Sequence, residues 1–118
     1  ELLANEIAPR VHNTGHWTIE GAECSQFENH LRAVLGWPLG GTEAVGAAAM
    51  VNFIGAVPDA GEVLVLPHVH LHAYGKAFRP GRKVGHATVR APDAETRDDT
   101  VERLQALAEE AADALSGS

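Results

Sequence analysis

Cysteine occurs once in this sequence, at Cys24, so no internal disulfide can close and no cysteine cluster can hold zinc. A lone thiol fits a reducing, cytoplasmic compartment. No apolar run approaches the ~18–20 residues of a membrane span. The chain shows no charged–apolar–small signal-peptide pattern at its start. Aromatic residues amount to 5% and do not interleave with basic ones, which leaves no base-stacking platform for nucleic acid. Excess positive charge is missing too. Nine Lys and Arg stand against 16 Asp and Glu, a net −7, which excludes a whole-surface basic footprint. Neither an internal repeat nor a Walker-type Gly-rich lysine loop is present. What remains is ordinary globular composition, 45% hydrophobic and 21% charged. The chain is long enough to bury a core without disulfide staples. It opens at Glu1 without Met, inside an apolar run, and is expected to be a fragment.

Local patterns predict an α+β organisation. Glu1 to Ala8 reads as a strand stopped by Pro9, which lacks a ladder donor. A polar loop follows from Arg10 to Trp17. Ser25 and Glu28 have capping-box spacing, and Phe27, Leu31, Val34 and Leu35 recur at helical intervals, so a helix is expected from about Gln26 to Leu35. Gly36 and Pro38 stop it. Gly40, Gly41 and Gly46 mark a loose connection, and the boundary between two parts, 1–40 and 41–118, is expected there. Strands are expected at Met50–Gly55, Val63–Leu66, His68–Ala73 and Lys83–Arg90. A final helix carries the stripe Val101, Leu104, Ala108, Ala111 and Leu115. Thr96 and Asp99 form a second capping box, and Ser116–Ser118 is expected to fray.

Several groups carry possible chemistry. Asn5 and Glu6 offer hard oxygen ligands of the kind magnesium takes, although a lone Glu at a strand end is more often a solvated acid. Arg10, His12, Asn13 and His16 crowd the loop that follows. Arginine brings a planar fork for phosphate or carboxylate, and histidine moves protons near neutral pH. An anion site beside a magnesium carboxylate is what an ATP-using enzyme needs; a polar surface loop is the plainer alternative. Lys76, Arg79, Arg82 and Lys83 surround a Pro80-Gly81 turn. They form either a phosphate site or a basic turn that keeps a sheet edge soluble. His68, His70 and His72 alternate, so their imidazoles would share one strand face, with Cβ atoms roughly 6.5–7 Å apart for neighbours in the row. Two of them could share a metal, but the polar face of a half-buried strand is the commoner outcome. Trp17, Trp37, Phe27 and Phe53 are expected in a core or interface, and Cys24 as a small buried hydrophobe.

The segment Asn5-Glu6-Ile7-Ala8-Pro9-Arg10-Val11-His12-Asn13-Thr14-Gly15-His16-Trp17-Thr18 resembles the signature of the 5-(carboxyamino)imidazole ribonucleotide synthases, which are ATP-grasp enzymes of purine biosynthesis. The likeness continues through Ser25–Arg32, Met50–Asn52, His70–Lys76 and Arg79–His86. The Gly75-Lys76 and Arg79–Lys83 elements separate this family from looser ATP-grasp relatives. The resemblance implies the end of an ATP-grasp domain followed by a small antiparallel β domain with a closing helix. It implies that ATP phosphorylates bicarbonate to carboxyphosphate, which carboxylates aminoimidazole ribonucleotide. Asn5 and Glu6 would lie at the ATP–Mg2+ site, with Glu6 on the metal. Arg10 and His12 would serve catalysis, and with Asn13 face the substrates; Lys76, Arg82 and Lys83 would hold the ribonucleotide phosphate. A family member is longer than this chain, so the missing N-terminal part of the same polypeptide is the implied partner. The parent is expected to be a cytoplasmic homodimer with no nucleic-acid or membrane partner. The fragment alone, lacking the adenine pocket and a second magnesium carboxylate, is expected to be inactive. The rival readings are a non-catalytic binding module derived from the same fold and a His-rich metal-binding β protein.

Overall fold

The computed structural model describes residues 2–116. Its centre is a three-stranded antiparallel sheet in the order β1-β3-β2. The strands are β1 (Ala47–Ile54), β2 (Val69–Ala73) and β3 (Lys83–Ala91). The middle strand, β3, is buried from Val84 to Val89, because both sheet faces are covered. Register decides what each face carries. Val51 lies opposite Ala87 and Ala49 opposite Val89, and this row points to the apolar core of Val51, Phe53, Ala87, Val89 and Leu104. The alternate row places Asn52 opposite His86 on one side and His72 opposite His86 on the other. A period of two thus makes one face apolar and the other polar.

The apolar face is closed by α4 (Ala94–Ser116), which packs on β1 and β3. Leu104 is fully buried, whereas Leu115 at the end of the stripe stays half exposed. The helix is capped one turn earlier than the Thr96–Asp99 pattern implies. Asp93 Oδ1 accepts the Thr96 amide at 2.8 Å, and that backbone donor, followed by the Thr96 side chain, holds the Asp93 carboxyl below its usual range. Ser116 is the last helical residue; the expected fraying at 117–118 lies outside the described residues.

The polar face is covered by the first part of the chain. That part holds a 3-10 turn at Asn13–Gly15, α1 (Thr18–Gly21) and α2 (Gln26–Val34). Arg90 Nη1 donates to the Glu20 carbonyl at 3.1 Å, and Val45 N–H donates to the Gly21 carbonyl at 2.6 Å. Ser25 Oγ caps α2 by accepting the Glu28 amide at 3.1 Å. The reciprocal arm of the expected capping box does not form, because Glu28 turns to Arg32 one turn on, an i,i+4 ion pair. Leu35 is the C-cap and lies just outside the helix. Phe53 is fully buried, but Trp37 is 63% exposed and Phe27 is exposed.

Two expected strands are absent. Residues 2–8 form no ladder, and Leu2 and Ile7 stand open to solvent. A strand exists only where a neighbour takes its backbone bonds, and no described segment of this chain pairs with it. Val63–Leu66 is not a strand either. Asp59 accepts the Glu62 amide at 3.2 Å and starts α3 (Ala60–Leu64). Both edges of β3 are already taken, so Val63 is buried from a helix instead.

Candidate functional site

The loop after Pro9 folds over a cavity of about 360 Å³ lined by Asn5, Glu6, Ala8, Arg10, His12 and Thr14. Four of the candidate residues therefore share one concave surface. The Thr14 amide donates to His12 Nδ1 at 3.2 Å. That nitrogen must be unprotonated to accept, so the ring proton sits on Nε2. Nε2 in turn faces the Glu6 carboxylate, which accepts its hydrogen bond. Arg10 is exposed, its Nη1 donating to the Val11 carbonyl at 3.0 Å. Among the described residues no carboxylate lies within ion-pair distance of it, which leaves a cation available to an anionic ligand. Asn13 Oδ1 is buried without a hydrogen-bond partner, an acceptor waiting for a donor.

The loop keeps its shape through one side chain from α2. Gln26 Oε1 accepts the His12 amide at 2.9 Å, while its Nε2 donates to the His12 carbonyl at 2.7 Å and to His16 Nδ1 at 2.8 Å. A Cβ on Gly15 would come to 2.5 Å from Gln26 Oε1, so any larger residue there would push the Gln26 amide off the loop. In the sequence, Gln26 stands out only as the first residue of a capped helix within the family-like stretch Ser25–Arg32. A polar residue at the start of a capped helix was the signal available.

The second candidate group is the hairpin joining β2 to β3. Arg79-Pro80-Gly81-Arg82 forms a turn closed by the Arg82 amide on the Arg79 carbonyl at 3.0 Å, with Gly81 at φ 75°. Proline second and a positive-φ glycine third are the residues a type II turn demands. Gly55 fastens this turn to the end of β1, its amide donating to the Arg82 carbonyl at 2.6 Å. Lys76 and Lys83, on the two arms, both approach the Tyr74 ring, with Nζ 5.8 and 5.3 Å from the centroid.

Between the cavity and the hairpin lies a stack of imidazoles. His86 is fully buried, with ring centroids of His72 at 4.6 Å and His16 at 5.3 Å. The Tyr74 hydroxyl lies 2.6 Å from His86 Nδ1, and Glu20 Oε2 lies 2.8 Å from His72 Nε2. Burial first, then the neighbouring His72, His16 and Lys83, lower the His86 pKa to about 4. Burial likewise lowers His16, followed by Lys83, His72 and His12. His16 is thus near enough to feel both the cavity and the hairpin.

This stack replaces the expected row of three histidines. His68 precedes β2 with φ 65°, which removes it from the strand. His70 is exposed opposite Thr88, and His72 is engaged by Glu20 and His86. Among the described residues no group of three or more His, Cys, Asp or Glu is placed to hold a metal ion. Cys24 is buried, and burial pushes its thiol pKa up, against a reactive thiolate.

An ATP-grasp domain model matches residues 1–27, the stretch that builds the cavity, so this part of the chain is similar to a piece of an ATP-grasp domain. A second model, described as the phosphoribosylaminoimidazole carboxylase C-terminal domain, matches residues 48–100. The N5-carboxyaminoimidazole ribonucleotide synthase of Pseudomonas aeruginosa is 65% identical over 108 residues, covering 92% of this chain and 30% of that protein. The crystal structure of N5-carboxyaminoimidazole ribonucleotide synthetase from Thermus thermophilus superposes with a TM-score of 0.87 at 63% identity, over 91% of this chain and 30% of that one. The Aspergillus clavatus synthase, crystallised with ADP and 5-aminoimidazole ribonucleotide, gives a TM-score of 0.78 at 38% identity, over 85% of this chain and 29% of that one. The chain belongs to the N5-carboxyaminoimidazole ribonucleotide synthase family and corresponds to a C-terminal part of it. It spans 22% to 30% of the length of the curated relatives it matches.

Proposed function

We propose that this chain forms the C-terminal part of an ATP-dependent ligase that carboxylates aminoimidazole ribonucleotide with bicarbonate, through carboxyphosphate, in purine biosynthesis. The observation that carries this reading is the gathering of Asn5, Glu6, Arg10 and His12 around one cavity, inside the segment that matches the ATP-grasp model. Asn5 and Glu6 face the nucleotide, Arg10, His12 and Asn13 face bicarbonate and the ribonucleotide, and Lys76, Arg82 and Lys83 hold its phosphate. Arg10 supplies fixed positive charge where the acyl phosphate forms, and His12 supplies an Nε2 proton held toward Glu6. The division into 1–40 as the end of the ATP-grasp domain and 41–118 as the small β domain agrees with the gap between the two family matches. Cytoplasmic residence is supported by the unpaired Cys24. A homodimer is supported by the exposed apolar face of Leu31, Leu35 and Trp37.

The donor chemistry here fits Mg2+ in part. Glu6 gives one hard carboxylate and Asn5 one amide oxygen in the same cavity, so a second acid must come from elsewhere in the polypeptide. Bound there, magnesium would neutralise the phosphate charge of ATP. Glu6→Gln in the full-length polypeptide is expected to lower turnover by ~10²-fold or more, the scale of one lost electrostatic stabiliser. Phosphate release dependent on bicarbonate and ribonucleotide is the readout. Unchanged turnover at limiting magnesium would remove Glu6 from the site. The same release by the 118-residue chain alone would show that the rest of the polypeptide is dispensable.

A further inference from the structure

Lys76 and Lys83 stand on the two arms of one hairpin, and the register that pairs Ala73 with Gly85 sets their backbones side by side. Tyr74 gives their ammonium groups a common neighbour. Its ring lies 5.3 Å from Lys83 Nζ and 5.8 Å from Lys76 Nζ, inside the ~6 Å at which a ring face attracts an ammonium. The ring is itself fixed at both ends. Its backbone amide donates to the Val84 carbonyl at 3.0 Å, and its hydroxyl lies 2.6 Å from Nδ1 of the fully buried His86. Two ammonium groups on one ring also repel each other. Burial and then the neighbouring Lys76 charge lower the pKa of Lys83, and an anion joining the pair would offset the second of these.

We propose that Tyr74 is a positioning residue for the ribonucleotide phosphate: its ring gathers the Lys76 and Lys83 ammonium groups into one anion site, and buried His86 locks the ring by accepting a hydrogen bond from its hydroxyl. This rests on the reading of the basic hairpin as the phosphate site. The role asked of His86 needs an unprotonated Nδ1. Of the groups facing that ring, His72 comes from β2, His16 from the loop before α1, Lys83 from the start of β3 and Tyr74 from the hairpin. Their cationic members oppose protonation, as does burial, so the acceptor survives at neutral pH.

The test uses the full-length polypeptide bearing this segment. Tyr74→Leu removes the ring and is expected to raise KM for aminoimidazole ribonucleotide about fivefold to twentyfold, the scale of two weakened cation–ring contacts. KM for ATP and kcat should stay within about twofold, as loss of ground-state binding requires. Tyr74→Phe keeps the ring but frees it from His86, and a smaller rise in the same constant is expected, a partial rescue that a purely structural residue would not show. Unchanged KM for the ribonucleotide in both variants, equal rises for both substrates, or a fall in kcat alone would overturn the role. If Tyr74→Leu does not fold, Tyr74→Phe decides by the same criteria. Arg82→Ala separates the inference from its basis. If Arg82→Ala raises the ribonucleotide KM and the Tyr74 variants do not, the positioning role falls alone. If none of the three raises it, the hairpin is not the phosphate site and both readings fall.

Discussion

Glu20 Oε2 on α1 lies 2.8 Å from His72 Nε2 on β2, across 52 residues of sequence. The Glu20 side chain is only 12% exposed, and its other oxygen, Oε1, is buried without a hydrogen-bond partner. This contact ties the ATP-grasp end of the chain to the polar face of the sheet. Glu20→Ala would strip His72 of its partner in a half-buried place. The expected loss is about 1–2 kcal/mol of unfolding free energy in urea, in the lower part of the range for an unmade buried hydrogen bond. Amide exchange should quicken first in α1, which the contact holds down. Glu62→Ala, on the surface of α3, should change stability by less than ~0.5 kcal/mol. Equal effects of the two substitutions would show that Glu20 anchors nothing.

His86 makes the fold sensitive to acid. Its pKa is lowered to about 4 by burial and neighbouring cations, against ~6.5 in an unfolded chain. Above pH ~6.5 both states hold the ring neutral and nothing is lost. As pH falls from there toward 4, the unfolded chain takes up a proton that the folded one refuses, and stability declines by roughly 3 kcal/mol at most. His16 shifts in the same direction and adds to the loss. Thermal unfolding at pH 7 and pH 4.5 should show a large drop in Tm that His86→Gln makes smaller. An identical pH dependence in the variant would mean that carboxylates alone set the acid limit.

Gln26 is the residue on which the cavity's shape depends. Gln26→Ala removes bonds to both backbone groups of His12 and to His16. Global stability should fall by only about 1–2 kcal/mol, since the loop is partly solvated and water can replace some partners. Turnover of the full-length polypeptide should fall at least tenfold, because positioning of Arg10 and His12 is lost. Gln26→Glu should not restore it: its carboxylate cannot donate to the His12 carbonyl. Full activity in Gln26→Ala would show that the loop holds its conformation by other means.

The helices α2 and α4 were legible because each carries its own apolar periodicity, and α2 its stop signals as well. So was the alternation of β2. The readings that failed were those in which a local pattern met a tertiary fact. Residues 2–8 have strand composition but no partner among the described residues. Val63–Leu66 has a strand's apolar run, yet β3 has no free edge and Asp59 offers a helix cap. Asp93, not Thr96, caps α4 because the helix begins as soon as the chain leaves β3. The resemblance in sequence supplied a fold, and the ATP-grasp and C-terminal domain models match within it at residues 1–27 and 48–100.

The sequence by itself determined which residue types were present for chemistry and the order of most of the elements, since spacing and composition act over a few residues. It also held the turn at Pro80-Gly81, where φ preference is a local property. Only the tertiary structure decided that Gln26 clamps the His12 loop, that His72 turns to Glu20 rather than to a metal, and that Tyr74 draws Lys76 and Lys83 together over a buried His86. Each of these joins side chains from different elements. Their meeting follows from sheet register and the docking of α1 on the polar face, and no local rule encodes it.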